Sequence, residues 1–413
     1  MERTSSITQR LLRQKPINQL VEETRQEGKH LRRSITLFQL TIFGVGATIG
    51  TGIFFVLSQQ VPVAGSAVLI SFIIAGITAG LTALCYAELS SMIPASGSSY
   101  SYAYATLGEG VAFLVAACLI LEYGVSAAAV TIGWSEYLNN LIANVFGVHL
   151  PSWMLSAPLQ ADGYRLHFGG DGMINLPASI LVFLCCVLLM RGVAESAKVN
   201  AFMVVIKLVV LVLFIGIAAS AFDANHLTPF SPHGFAGISA AAGSIFFTFI
   251  GLDAVSTAGE EVENPRRNLP LAIIAALFVV ITFYILVALT ALGTQPQQMF
   301  EHQEAGLAVI LQHITGSKWP AIVLAAGAVV SVFSITLVVL YGQTRILFAM
   351  SRDGLAPKIF QTSLSMNGAS RLKGLITKPS SLGIVQYRLA LRLAMAIIGR
   401  NLSNPLTGTP MKC

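Results

Sequence analysis

The sequence predicts an all-α polytopic membrane protein, and three observations carry that fold class. Only 11% of the 413 residues are charged, where a soluble chain has about 25%. The mean hydropathy is +0.73. The apolar residues come in long blocks and follow neither the helical nor the strand period; eight of these blocks reach the ~18 residues needed to cross a ~30 Å hydrocarbon layer. A soluble enzyme, a nucleic-acid binder and a secreted disulfide scaffold are thereby excluded.

The eight expected spans are 36–58, 63–93, 110–141, 174–191, 199–220, 236–258, 271–293 and 320–348. Charge orients them. Residues 1–35 hold eight Lys/Arg; Arg191, Lys198, Arg266, Arg267, Arg345, Arg352 and Lys358 fall on the same side, and the opposite loops hold only Arg165 and Lys318. Basic residues stay on the cytoplasmic side, so the N-terminus is expected in the cytoplasm and the chain in the cytoplasmic membrane. The chain then divides into a cytoplasmic segment (1–35), a transmembrane core (36–358) and an atypical basic tail (359–413). That tail has seven Lys/Arg and no acid. It is read either as disordered or as a basic amphipathic helix over 382–402 lying on the cytoplasmic surface.

Cys85, Cys118, Cys185 and Cys186 lie inside apolar spans without metal-ligand spacing and are read as small hydrophobes. All seven histidines fall outside the spans, which argues against an intramembrane haem or histidine relay. No phosphate-binding GxxxxGK run is present. The reading includes no metal, cofactor or catalytic residue, and no nucleic-acid partner. The oligomeric state is left open.

Two spans are interrupted. The first contains GVGATIGTG (44–52), with four glycines in nine residues, each weakening a helix by ~1 kcal/mol relative to alanine. A small-residue packing face is the alternative, but Thr48 and Thr51 add hydroxyls that packing does not require. The sixth span has Gly243 followed by FFTFIGLDAVSTAG (246–259). Unwound backbone in hydrocarbon is tolerated only where protein or a cavity satisfies it. A pair of interrupted spans at corresponding positions points to an inverted-repeat transporter with a midplane site. There the N–H groups of a half-helix receive a carboxylate and unwound carbonyls receive an ammonium. The substrate of such a site is an α-amino acid.

At this point the residues carry a resemblance. GVGATIGTGIF (44–54), Glu122-Tyr123-Gly124, FIGLDAVSTAGEEVENPRRNLP (249–270) and RILFAMSRDGLAP (345–357) resemble the amino acid–polyamine–organocation permeases, nearest the bacterial branch similar to cationic amino acid transporters. The resemblance covers about 30–358. It implies a LeuT-like inverted-repeat fold with helices 1 and 6 broken. It further implies that Gly50, Thr51 and Gly52 bind the substrate carboxylate, that Phe247 covers the substrate, and that carbonyls near Thr48, Phe247 and Ile250 take its amino group. Lys207 matches a lysine that stands, in proton-coupled members, where sodium-coupled relatives hold an ion. Glu122 and Asp253 match acidic positions tied to coupling or substrate contact. Such members usually have twelve or more spans; with eight, the second repeat here is expected to be incomplete, and the tail after Lys358 resembles nothing in the family.

The charged residues carry weight of their own. Lys207 lies eight residues into its span, ~12 Å deep, where a lysine costs at least ~2.5–3.5 kcal/mol. Its charge state is set by desolvation against nearby carboxylates, so it can take and release a proton. Glu122 is either functional or a buried hydrogen-bonded acid, and Asp253 either a ligand or a helix cap. Glu88 is read as solvated, the EEVENPRR run (260–267) as a structural cytoplasmic turn, and Tyr100, Tyr102 and Tyr104 as interfacial anchors. The expected function is secondary active, proton-gradient-driven symport of cationic or diverse amino acids across the bilayer. The alternatives are a transport-inactive permease fragment and, more weakly, a channel or membrane-embedded enzyme.

Overall fold

The computed structural model describes residues 11–23, 33–50, 52–155, 159–162, 165–168, 174–191, 193–249, 251–300, 306–357, 360 and 400–402. Most of the tail, along with Thr51 and Ile250, lies outside the described residues.

A helix occurs in each stretch expected to span. The first is two helices, α2 (Leu37–Thr48) and α3 (Gly52–Ala64), preceded by the short α1 (Ile17–Glu23). Thr36 caps α2: its hydroxyl accepts from the Gln39 N–H, and the Gln39 side chain accepts from the Thr36 N–H. Next come α4 (Val68–Met92), the short α5 (Ser99–Thr106), α6 (Glu109–Phe146), α7 (Leu176–Arg191) and α8 (Val193–Ser220). The sixth span is α9 (Gly234–Phe246), a 3₁₀ turn over Phe247–Phe249, and α10 (Ala254–Thr257). Finally there are α11 (Pro265–Thr294), the short α12 (Gly306–Thr315) and α13 (Trp319–Arg352). Among the described residues, six helical stretches are long and apolar enough to cross a membrane, and α2 and α7 are shorter apolar helices. A small three-stranded sheet lies outside the spans: β1 (Leu159–Asp162) pairs antiparallel with β2 (Arg165–Phe168) and parallel with β3 (Arg400–Leu402). The described end of the 382–402 stretch is therefore strand where a surface helix was an alternative, because its backbone pairs with the loop between α6 and α7.

Two groups of helices pack against each other. In one, α11 packs on α4 and α2, and α9 on α4; in the other, α13 packs on α6 and α7. Helix α8 touches both, through α2 and α13. The two broken spans cross at their breaks. Gly251 has φ +115°, and a Cβ there would lie 2.7 Å from the Ala47 carbonyl oxygen. Glycine is required at that point on both counts, because a side chain would be strained and would force the two unwound segments apart.

The end of the bundle that carries the N-terminal segment is closed by buried ion pairs. Glu260 pairs with Arg352 at 2.9 Å and Glu261 with Arg345 at 2.6 Å. Tyr341 donates to Glu261, and the Ser96 N–H to Glu260 at 3.1 Å. Asp353 accepts from Lys15 at 2.5 Å and from the Tyr100 hydroxyl at 2.6 Å. Burial and the adjacent Asp353 carboxylate push the Tyr100 phenol well above its ordinary value, so it remains a donor. The EEVENPRR run is a structural turn, but its two leading glutamates pair with arginines of α13. Tyr100, Tyr102 and Tyr104 are buried in protein, and this corrects the expectation of interfacial anchors: their short helix is folded under the bundle end, between α4 and α6. Glu88 is exposed, as read.

Two outcomes are expected from this packing. Gly251→Ala adds a carbon against the Ala47 carbonyl and forces a left-handed conformation that costs about 1–2 kcal/mol; thermal unfolding in detergent should fall by several degrees, and an unchanged midpoint would contradict the crossing. Glu261→Gln leaves Arg345 buried without its counter-charge, a loss of about 3–5 kcal/mol, and should lower the midpoint more than Glu88→Gln does.

Candidate functional site

Helix α2 ends because its glycines do not hold it. Ile49 still donates to the Val45 carbonyl at 2.9 Å, but its ψ of 89° turns the chain out of the helix. The last carbonyls of any helix lack intrahelical donors, and at lipid depth something else must supply them. Lys207, fully buried on α8, donates to the Gly46 carbonyl at 3.0 Å and the Ile49 carbonyl at 2.5 Å. Its ammonium therefore sits at the negative end of the α2 dipole. Ser331 of α13 also donates to the Ile49 carbonyl, at 3.3 Å. One turn away Ser334 donates to Asn200 at 2.7 Å, against Gly46.

The second break faces the first. The Tyr284 hydroxyl, on α11, lies 3.0 Å from the Thr48 carbonyl oxygen and 2.9 Å from the Thr248 carbonyl oxygen. A Cβ on Gly52 would lie 2.9 Å from the Thr248 side chain, and one on Gly50 would lie 2.0 Å from Ile335. Gly50 and Gly52 are thus hemmed in by the eighth and sixth spans, and α3 starts at Gly52, where the first N–H groups of a helix have no intrahelical acceptors. Asp253, just before α10, accepts from the Tyr123 hydroxyl of α6 at 2.7 Å.

A cavity of about 280 Å³ opens at the other end of the bundle from the ion pairs. Phe54 of α3, Tyr137 of α6, Leu307 and Gln312 of α12, and Ala328 of α13 line it, with Lys318 at the start of α13. Phe54 is two residues past Gly52, so the cavity approaches the first break.

The structure brings together Thr48, Gly50, Gly52 and Lys207 around the first break, and Asp253 beside α6. The Thr48 hydroxyl turns back to the Gly44 carbonyl at 2.9 Å, so Thr48 contributes its backbone. Phe247 is 70% exposed, its ring edge-on to Phe246, and Glu122 is exposed; neither joins the packed cluster. Thr51 and Ile250 lie outside the described residues. Tyr284, Tyr123, Asn200, Ser331 and Ser334 were not foreseen. The signal for Tyr284 was present: a hydroxyl in mid-span needs a partner.

The profile of the amino acid permease family matches residues 35–396. That match runs past Lys358, where the resemblance had been expected to stop. A branched-chain amino acid permease of Bacillus subtilis is 42% identical over 347 residues, covering 84% of this chain and 73% of that protein. A methylthioribose transporter of the same organism is 39% identical, covering 85% and 73%. A chloroplastic cationic amino acid transporter of Arabidopsis thaliana is 38% identical, covering 81% of this chain and 58% of that one. Among solved structures, MhsT in complex with L-phenylalanine superposes with a TM-score of 0.57 at 16% identity, over 89% of this chain and 81% of that one. Mhp1, a nucleobase-cation-symport-1 family transporter, superposes with a TM-score of 0.53 at 13% identity, over 92% and 80%. These two carry the fold, a LeuT-fold transporter with its first and sixth helices broken. The chain belongs to the amino acid permease family of the amino acid–polyamine–organocation superfamily.

Proposed function

We propose that this permease is a proton-coupled symporter that moves amino acids, cationic or of several kinds, into the cell across the cytoplasmic membrane. The observation that carries the reading is Lys207, a fully buried ammonium that holds the carbonyls of Gly46 and Ile49 at the first break. Protonated, it supplies the charge and donors that the end of α2 lacks. When it gives up the proton, that attraction weakens and the break is held less firmly. Arrival and departure of a proton therefore change the same backbone that receives substrate, which is what coupling requires.

In this scheme the substrate carboxylate meets the N–H groups of Gly50–Thr51–Gly52, and its ammonium meets carbonyls near Thr48, Phe247 and Ile250, with Asp253 adding negative charge. Phe247 closes over it, and Glu122 takes part in coupling. A backbone site of this kind reads only the part common to all amino acids. The relatives named above for branched-chain and cationic amino acids fit a shared backbone site with variable side-chain recognition; the methylthioribose transporter shares the family but its substrate lacks both the α-carboxylate and the α-ammonium. The basic N-terminal segment supports a cytoplasmic N-terminus. The end closed by Glu260–Arg352 and Glu261–Arg345 is then the cytoplasmic one, and the cavity beside Phe54 faces outward, as one state of alternating access.

The test is uptake of labelled leucine, lysine and alanine into liposomes that contain the purified chain and have an alkaline interior. Accumulation of at least one, collapsed by a protonophore, is expected; no uptake of any of the three would sink the proposal, and accumulation indifferent to the gradient would sink the coupling. Lys207→Ala should reduce pH-driven accumulation to background while leaving exchange, and unchanged accumulation would remove Lys207 from the mechanism. Thr51→Val removes one hydroxyl but keeps the N–H groups, so KM should rise only about two- to tenfold.

A further inference from the structure

We propose that the groove between α4 and α5 is a lipid site, which takes one acyl chain of a phospholipid from the leaflet on the N-terminal side of the bundle. The site stands apart from the broken helices and does not depend on what the chain transports.

The groove encloses about 520 Å³. Leu81, Cys85 and Leu89 of α4 form one wall, and Ala103 and Leu107, at the end of α5, form the other. Its depth suits hydrocarbon. Helix α4 ends at Met92, so at 1.5 Å per residue Leu89 and Leu81 lie about 5 and 16 Å from that end. The hydrocarbon half of one leaflet is about 15 Å thick, and the groove runs along it. Its polarity suits hydrocarbon as well, because the hydroxyls on its walls are engaged within the protein. Thr82 donates to the Thr78 carbonyl at 3.1 Å, Thr106 donates to the Tyr102 carbonyl at 2.8 Å, and Tyr86 and Ser99 share a hydrogen bond of 2.5 Å. The walls therefore offer mainly methyl and methylene groups, and a water there would find few partners. The rim continues the surface that faces lipid: Leu81 is 62% and Leu107 57% exposed, with Leu84 of α4 and Leu114 of α6 exposed beside them. A recess in that surface packs well against a flexible chain, whereas a rigid neighbour would leave its lining without contacts.

The polar end of the lipid also has a place. Gln14 donates to the Thr106 carbonyl at 2.6 Å, which brings the N-terminal segment to the mouth of the groove. The adjacent Arg13 pairs with Glu109 at 2.6 Å, yet its side chain is 62% exposed. A guanidinium has five N–H donors, so some remain for a phosphate, and this selects a phospholipid. Helix α5 also carries Tyr100, which donates to Asp353 at 2.6 Å. The lipid chain thus backs the short helix that helps to close this end.

Native mass spectrometry of the purified, delipidated full chain supplied with palmitoyl-oleoyl phosphatidylglycerol, or in a parallel arm with palmitate, tests the site. The wild type should retain one phospholipid in detergent that strips the rest. Cys85→Trp fills the groove with an indole and should retain about tenfold less. Cys118→Trp alters the exposed cysteine of α6, which does not line the groove, and should behave as wild type. Equal retention by all three, or none by the wild type, overturns the site. Retention of palmitate alone overturns the phospholipid, and a dimer that Cys85→Trp abolishes gives the groove to a second copy and overturns the lipid. If Cys85→Trp does not accumulate, a phospholipid with a photoreactive diazirine on its chain decides the matter in the wild type. Crosslinks should fall on 81–89 and 99–107, and crosslinks confined to other segments overturn the site.

Discussion

A backbone carbonyl in hydrocarbon must have a donor, and this molecule breaks two helices in the middle of the bilayer-spanning bundle. The arrangement of its core follows from how those orphaned carbonyls are answered. Lys207 reaches them from α8, Tyr284 from α11 and Ser331 from α13. Three helices distant in sequence are thereby committed to positions around one point. In water the same breaks would be solvated and would place no demand on their neighbours.

The packing at the crossing is as constrained as the hydrogen bonding. Gly251 lies against Ala47, Gly52 against Thr248, and Gly44 against Val255 of α10. Each contact leaves no room for a Cβ. The glycines thus have two roles: they let the helices unwind, and they let the two unwound segments approach until one tyrosine can reach both.

The two ends of the bundle differ in kind. One is bound by carboxylate–guanidinium pairs buried between α13 and the turn after α10, with the N-terminal Lys15 added on Asp353. Buried pairs of this sort add little net stability over apolar packing, because desolvation offsets their attraction. What they do is select a geometry, since a misaligned pair leaves a charge unmatched. The other end has an apolar cavity with Lys318 beside it. One end is thus specified by charge, and the other is left open.

Much of the fold was legible in the sequence because lipid imposes a one-dimensional rule: an apolar run long enough to cross must be a helix. The glycine clusters at 44–52 and 243–259 likewise announced the breaks through backbone propensity alone, and Lys207 stood out as a charge where none is tolerated without cause. Partners were not legible. Nothing in EEVENPRR says that Glu260 and Glu261 turn to Arg352 and Arg345 instead of the arginines beside them. Nothing in a lone tyrosine at 284 says that its proton lies between Thr48 and Thr248. Tyr100, Tyr102 and Tyr104 read as surface residues until α5 tucked them under the bundle. Local sequence determined where helices form and where they fail, because those are sums of short-range propensity and solvent. The tertiary structure alone decided which distant side chain answers each failure, because a hydrogen bond depends on distances that only the packed helices set.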